Sequence, residues 1–313
     1  MRVLTRLAQL AATLFVASLI VFMAMSVLPG DAALLRLGMN AEPAAVAALR
    51  VEMGLDDPLP LRFVAWLGGI LTGDFGTSGT YDVSVLGLLA ERARVSVPLA
   101  VYALVLSVVL ALPAGIYAAV RRGRFADRAV RGVAEIGLSV PAVWLGLLFI
   151  YVFAVYLRWA PAGGFPGWDA GPARALGALT LPAVALAIPQ AAILARIVRT
   201  ALTEVMDEDF VALARAKGRS TAGAVIHHAL PNAWAPILTV VGMQFGFLVA
   251  GAIVIETVFN LPGLGRLLFQ AVAQRDIVLV QGITLVVVAT VVIVNALCDV
   301  VAVASNPRLR RGP

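Results

Sequence analysis

Charge is scarce in this chain. Asp, Glu, Lys and Arg make up 13% of its 313 residues, hydrophobic residues make up 61%, and the mean hydropathy is +0.95. A soluble core cannot hide that much apolar surface with so few charges outside, so a soluble globular enzyme is excluded. Cysteine is nearly absent. Cys298 stands alone, which rules out an intrachain disulfide and a thiolate metal cluster. The two histidines, His227 and His228, are adjacent. On a helix their side chains point about 100° apart and cannot chelate one ion together. No Gly-x-x-x-x-Gly-Lys-Ser/Thr phosphate loop occurs, since Lys217-Gly218 has no glycine at the upstream position. Nucleophile elbows, zinc motifs and paired-carboxylate sites are missing as well. The expectation is a chain with no catalytic residues, no metal site and no bound cofactor, unable to hydrolyse ATP alone.

What the chain has is long uncharged runs. Six of them, residues 9–28, 95–120, 136–157, 175–195, 233–255 and 277–298, are long enough to cross a bilayer, which takes about 20 apolar residues. Pro98, Pro113, Pro141, Pro182, Pro189 and Pro236 fall inside them and are tolerated where helices pack in a membrane bundle. The first run follows Arg2 and Arg6 but is longer than a usual signal-peptide core, so it is expected to stay as a first helix. The fold class this predicts is all-α, a polytopic six-helix membrane protein, taken as one domain over residues 1–313.

Orientation follows from the basic residues. With the N-terminus inside, the inside segments hold 15 of the 24 Lys and Arg, and the outside segments hold nine. Five of those nine are spread over the long segment 29–94 among eight acids. This positive-inside bias predicts cytoplasmic termini and an extracytoplasmic segment at 29–94. It also explains the net charge of +6 without nucleic acid as a partner, because the arginines stand at span ends and no soluble basic domain exists to hold them.

Between the fourth and fifth runs lies a charged island, residues 196–232. Its spacing predicts a helix over 203–217, with Val205, Phe210, Leu213 and Ala214 on or near one face. Gly218 can take the left-handed conformation that closes that helix. Ser220 or Thr221 can cap a second short helix, and Pro231 is expected to end it. The prediction is a helical hairpin exposed on one side of the membrane.

The residues of this hairpin resemble the coupling loop of ABC-importer permeases, whose signature is EAA, three residues, Gly, nine residues, Ile-x-Leu-Pro. Ala212, Leu213 and Ala214 stand at the EAA positions, with Ala212 in place of the glutamate. Gly218 stands at the glycine, and Leu230-Pro231 at Leu-Pro, with His228 for the isoleucine. The run ARAKG followed by HALPNAWAP looks like the dipeptide, oligopeptide and nickel branch. Further stretches match family blocks: LPGD (28–31), 54–78, WAPAGGF (159–165), ETVFNLPGLGRLL (256–268), RDIVLVQG (275–282) and the closing SNPRLRR. The resemblance therefore covers nearly the whole chain.

It implies a type I importer membrane domain in the bacterial inner membrane, of the first-permease type. Implied partners are a second permease subunit in a heterodimer, two ATPase subunits that hold ATP and Mg, an extracytoplasmic solute-binding protein and membrane lipid. Asp207, Glu208, Ala212, Leu213, Ala214, Lys217, Gly218, Leu230 and Pro231 would couple to the ATPases. The solute expected first is a peptide; nickel chelates, glutathione and opine- or sugar-like solutes stay open.

Gln244, Glu256 and Phe259 are candidates for the solute path or its gate. Glu256 ends the fifth run beside the turn at 259–265, and Gln244 is one of the amides the spans hold, with Gln190, Gln281 and Asn295. Such amides also join helices. Glu135 and Asp299, at other span edges, read as interfacial anchors or packing groups. Two other classes stay in view. A secondary transporter would carry ionisable groups at mid-bilayer, and none interrupts the middle of a run. A membrane scaffold would need no coupling hairpin.

Overall fold

A computed structural model describes residues 2–27, 32–38, 41–52 and 54–305. The LPGD stretch and the SNPRLRR ending lie outside the described residues, apart from the backbone of Ser305, as does the side chain of Asp299. The described residues are helical almost throughout, with one isolated β-bridge between Thr77 and Ser84.

The elements are α1 (Arg2–Val27), α2 (Ala32–Leu37), α3 (Pro43–Glu52), α4 (Leu59–Leu71), α5 (Val85–Val120), α6 (Phe125–Ser139) and α7 (Ala142–Phe149). A π-turn, Ile150–Tyr156, continues α7. Then come α8 (Pro172–Met206), α9 (Asp209–Ala216), α10 (Thr221–Ala224), a second π-turn (Val225–Ala229), α11 (Leu230–Val258), α12 (Leu264–Ala273) and α13 (Ile277–Ser305).

Five helical stretches are long and apolar enough to cross a membrane: Ala8–Val27, Val85–Val120, Pro172–Met206, Thr221–Val258 and Ile277–Cys298. The crossing expected at 136–157 is not one straight helix. Phe125–Gly137 and Ala142–Tyr156 meet at 90°, and only together do they make a sixth span. Pro141 is the cause. It forces the residue before it out of helical geometry, and Val140 is extended at φ −93, ψ 119. By contrast Pro98, Pro113, Pro182, Pro189 and Pro236 sit inside continuous helices.

The chain resolves into two compact units, one of Met1–Ser96 with Pro262–Ile293, the other of Val97–Leu261 with Val294–Pro313. The first has a core of Val85, Leu89, Leu264, Leu267, Ala271, Leu279 and Ile283. Asp276 pins this unit together. Its carboxylate accepts from the Leu279 N–H at 3.1 Å, capping α13, and from Ser78 Oγ and the Thr80 N–H, which holds the 77–84 turn.

The second unit is built around α8, which packs on α6, α7 and α11. Its core is largely alanine (Ala111, Ala119, Ala191, Ala195, Ala201, Ala229, Ala233) around Leu194, Val198, Leu202 and Ile237. Small side chains let helix backbones approach where no water is expelled to drive them together. A Cβ at Gly115 would stand 2.7 Å from that of Val198 and 2.8 Å from the Ala195 carbonyl oxygen, so this glycine is required by a close helix crossing.

Candidate functional site

The charged island folds as a hairpin in the second unit, but its first helix differs from the expected one. α8 ends at Met206 and the backbone turns at Asp207 and Glu208 before α9 begins. That break resets the helical phase. Val211 and Ala214 now face inward, while Leu213 is 56% exposed and Ala212 is exposed beside it. The break has a partner that the sequence did not reveal: Arg122, between α5 and α6, donates to both carboxylate oxygens of Asp207 at 2.8 and 2.9 Å.

Gly218 closes α9 with φ +91. The Gly218 N–H donates to Arg215 O and the Arg219 N–H to Ala214 O, which together satisfy the last carbonyls of the helix in the Schellman pattern. Ser220 is the cap of the next helix, its Oγ accepting from the Gly223 N–H at 3.1 Å. Pro231 does not end that helix. Residues 221–258 run as one helix, because the π-turn at Val225–Ala229 widens the coil just where the proline lacks an N–H and its ring crowds the preceding turn. Ala224, Val225 and Ala229 are fully buried, and the second helix packs against α9 and α8. Ile226 is 48% exposed, so it and Leu213 are apolar side chains that the hairpin leaves outside. Lys217, Asp207, Glu208 and Pro231 are exposed, and Leu230 is half-buried.

A buried ion pair fastens the base of the hairpin. Arg199, on α8, donates through Nε and Nη2 to Asp127, which also accepts from the Gly123 N–H at 2.9 Å. Asp127 belongs to the charged stretch 121–131, outside the apolar runs. The Arg199 hydrogen bonds outweigh burial and hold its carboxyl down at about 2. The pair stays ionised at neutral pH and ties α6 to the part of α8 that leads into the hairpin. Sequence reading missed it because the partners are 72 residues apart.

The three path or gate candidates are buried. Gln244 is 2% exposed, and its Nε2 donates to the Gln190 carbonyl at 2.8 Å, joining α11 to α8. Glu256 is fully buried, and its backbone carbonyl takes the Leu261 N–H. Phe259 is 1% exposed; its ring lies over Gly146, and its carbonyl accepts from the Gly164 N–H at 2.8 Å. Phe259 thus fastens the 159–165 turn to the end of α11. Glu135 is exposed on α6.

The described residues form a polytopic helical fold with a capped hairpin that leaves Leu213 and Ile226 exposed, the build of a multi-pass membrane protein. Comparison with known proteins specifies which. Residues 111–311 match the model of the binding-protein-dependent transport system inner membrane component, and residues 1–110 match that of its N-terminal membrane segment. The chain belongs to this family of multi-pass inner-membrane permease subunits, which are not themselves catalytic. It is 39% identical over 308 residues to the "Probable peptide ABC transporter permease protein y4tP" of Sinorhizobium fredii, covering 98% of each chain. It is 39% identical, with the same coverage, to the glutathione transport system permease protein GsiC of Escherichia coli. Among solved structures it resembles the inward-facing MetNI methionine ABC transporter, with a TM-score of 0.59 and 21% identity over 70% of this chain and 96% of that one. That likeness establishes the fold of a type I importer membrane domain.

Proposed function

We propose that this permease subunit imports peptides, with the 207–231 hairpin as the element that receives work from ATPase subunits. The hairpin's exposed apolar residues are the observation that carries this reading: Ala212, Leu213 and Ile226 are exposed on a body anchored by the buried Val211, Ala214, Ala224 and Val225. The relatives named for peptide transport support the solute class, and glutathione, itself a tripeptide, is the second reading because GsiC is equally similar.

The chain works with a second, unlike permease, two ATPase subunits that bind ATP and Mg, and a solute-binding protein that delivers to the outer face. Both termini and the 196–232 segment are cytoplasmic. ATP draws the ATPases together, the docked hairpins follow, and the helices rock between inward-open and outward-open states. Each ligand shifts that equilibrium only by its preference for one state. Gln244, Glu256 and Phe259 hold helices around the path. The chain transports as one membrane domain over 1–313.

The test is uptake by proteoliposomes carrying the full complex, with labelled dipeptides, tripeptides, glutathione and a nickel chelate, each with the cognate binding protein. ATP-dependent uptake of peptides in preference to the chelate is expected. Uptake of the chelate alone would reject the peptide reading.

A further inference from the structure

By chain connection the hairpin pulls directly on two helices. α8 leads into it, and the continuous helix over 221–258 leads out of it as α11. α5 and the bent pair α6–α7 are reached across side-chain contacts. Part of that contact is apolar: Ala111 and Ala119 of α5 share a core with Val198 and Leu202 of α8 and with Val225 and Ala229 of the second π-turn. Apolar contact is non-directional, so it resists separation more than sliding. Charge-assisted hydrogen bonds are directional and fix register.

Two such contacts meet at the tight turn between α5 and α6. The turn is closed by the Arg124 N–H donating to Arg121 O at 2.9 Å, with Gly123 at φ +77. The Gly123 N–H donates to Asp127, which also takes Nε and Nη2 of Arg199. The neighbouring Arg122 places its Nη1 between the two carboxylate oxygens of Asp207, at 2.8 and 2.9 Å. Arg199 lies on α8 and Asp207 at its end, eight residues further on, about 12 Å along the helix. The turn is therefore held at two heights. One hold is buried, with the Asp127 side chain 1% exposed; the other is about half exposed and sits at the break between α8 and α9. A single hold lets the turn pivot about it. Two holds, one of them at the break itself, do not.

We infer that the 121–124 turn is a second arm of the coupling element, clamped to the end of α8 so that α5 and α6 follow the hairpin as one body, with Arg122 as the positioning residue that acts through Asp207. This rests on the hairpin's role in receiving work from the ATPases and adds the route by which that work reaches helices not joined to the hairpin in sequence. A pair as exposed as Arg122–Asp207 holds register modestly, so its loss should weaken coupling about two- to fivefold without abolishing it.

The test is the reconstituted full complex with Arg122→Glu, with Asp207→Arg and with both changes together. The readout is solute imported per ATP hydrolysed, using whichever labelled solute of the uptake test the wild-type complex takes up, with ATPase copurification measured beside it. Each single variant should keep its ATPases and lower the ratio about two- to fivefold. The double variant, which restores the pair with its charges reversed, should bring the ratio back. A merely structural role would lower the yield of complex and leave the ratio unmoved. A wild-type ratio in both single variants, or no recovery in the double variant, would overturn the proposal. Gly218→Val, run in parallel, separates this from the coupling reading itself. Lost transport there with a wild-type ratio in Arg122→Glu overturns the second arm alone. Wild-type transport there overturns the hairpin's role, and the second arm with it.

Discussion

Two residues show how differently a single side chain can matter here. At Gly218, a Cβ would meet nothing within 4 Å, so the requirement for glycine is wholly in the backbone, at φ +91. Gly218→Val forces a β-branched residue into the left-handed region, at roughly 1–2 kcal/mol, and removes the turn that sets α9 against α10. Transport and stimulated ATP hydrolysis should fall together in the reconstituted complex, with binding-protein docking at the outer face unchanged; wild-type rates in an assembled complex would remove the hairpin from the coupling mechanism. Asp127 is the opposite case, a side chain 1% exposed and committed to Arg199. Asp127→Asn leaves the guanidinium without its counter-charge, and breaking a buried pair costs about 3 kcal/mol. Thermal unfolding of the purified subunit should show a clear loss for Asp127→Asn. Arg122→Ala, which breaks a pair with both partners about half exposed, should cost under about 1 kcal/mol by the same measurement.

At the scale of elements, the hairpin separates exposed positions from packed ones. Leu213 and Ala214 are neighbours in sequence, but the first is exposed and the second buried. Leu213→Asp changes an exposed position, where substitutions typically shift stability by about 0.5 kcal/mol or less, so the subunit should fold normally yet lose copurification with its ATPases. Ala214→Leu overfills a buried position on α9, a change that costs about 1–3 kcal/mol, so it should lower the stability of the subunit itself. Equal ATPase copurification for Leu213→Asp and wild type would move the docking surface elsewhere. This division was only partly legible in the sequence. Helical spacing, Gly218 and the Ser220 cap could be read because they are local. The break at Asp207 and Glu208 could not, since nothing local forbids a helix through those residues and the Arg122 contact comes from 85 residues away. Because the break was missed, so was the phase, and Leu213 was assigned to the wrong face. The proline readings divide the same way. Pro141 stops a helix, as its effect on Val140 requires, whereas Pro231 is absorbed by a π-turn that no single-residue rule foresees.

For the whole molecule, the bent pair α6–α7 decides the topology. With five crossings, the segment 196–232 would fall on the opposite side of the membrane from 121–131, although each carries five basic residues. With six, the N-terminal arginines, both of these segments and the C-terminal tail share one side, which is the arrangement the positive-inside bias favours. Length argues the same way. Ala142–Tyr156 alone is about 22 Å, short of the roughly 30 Å layer, so it needs the last turns of α6 to complete a crossing. Single cysteines introduced into Cys298→Ser at Asp74, Arg124, Phe165 and Lys217, labelled in intact spheroplasts with an impermeant maleimide, read out each segment separately. Labels are expected at Asp74 and Phe165 and not at Arg124 or Lys217 until the membrane is opened. If the bent pair fails to cross, Phe165 and Lys217 exchange behaviour while Asp74 and Arg124 keep theirs. That pattern would put the hairpin out of reach of cytoplasmic ATPases, and the coupling mechanism would fail with it.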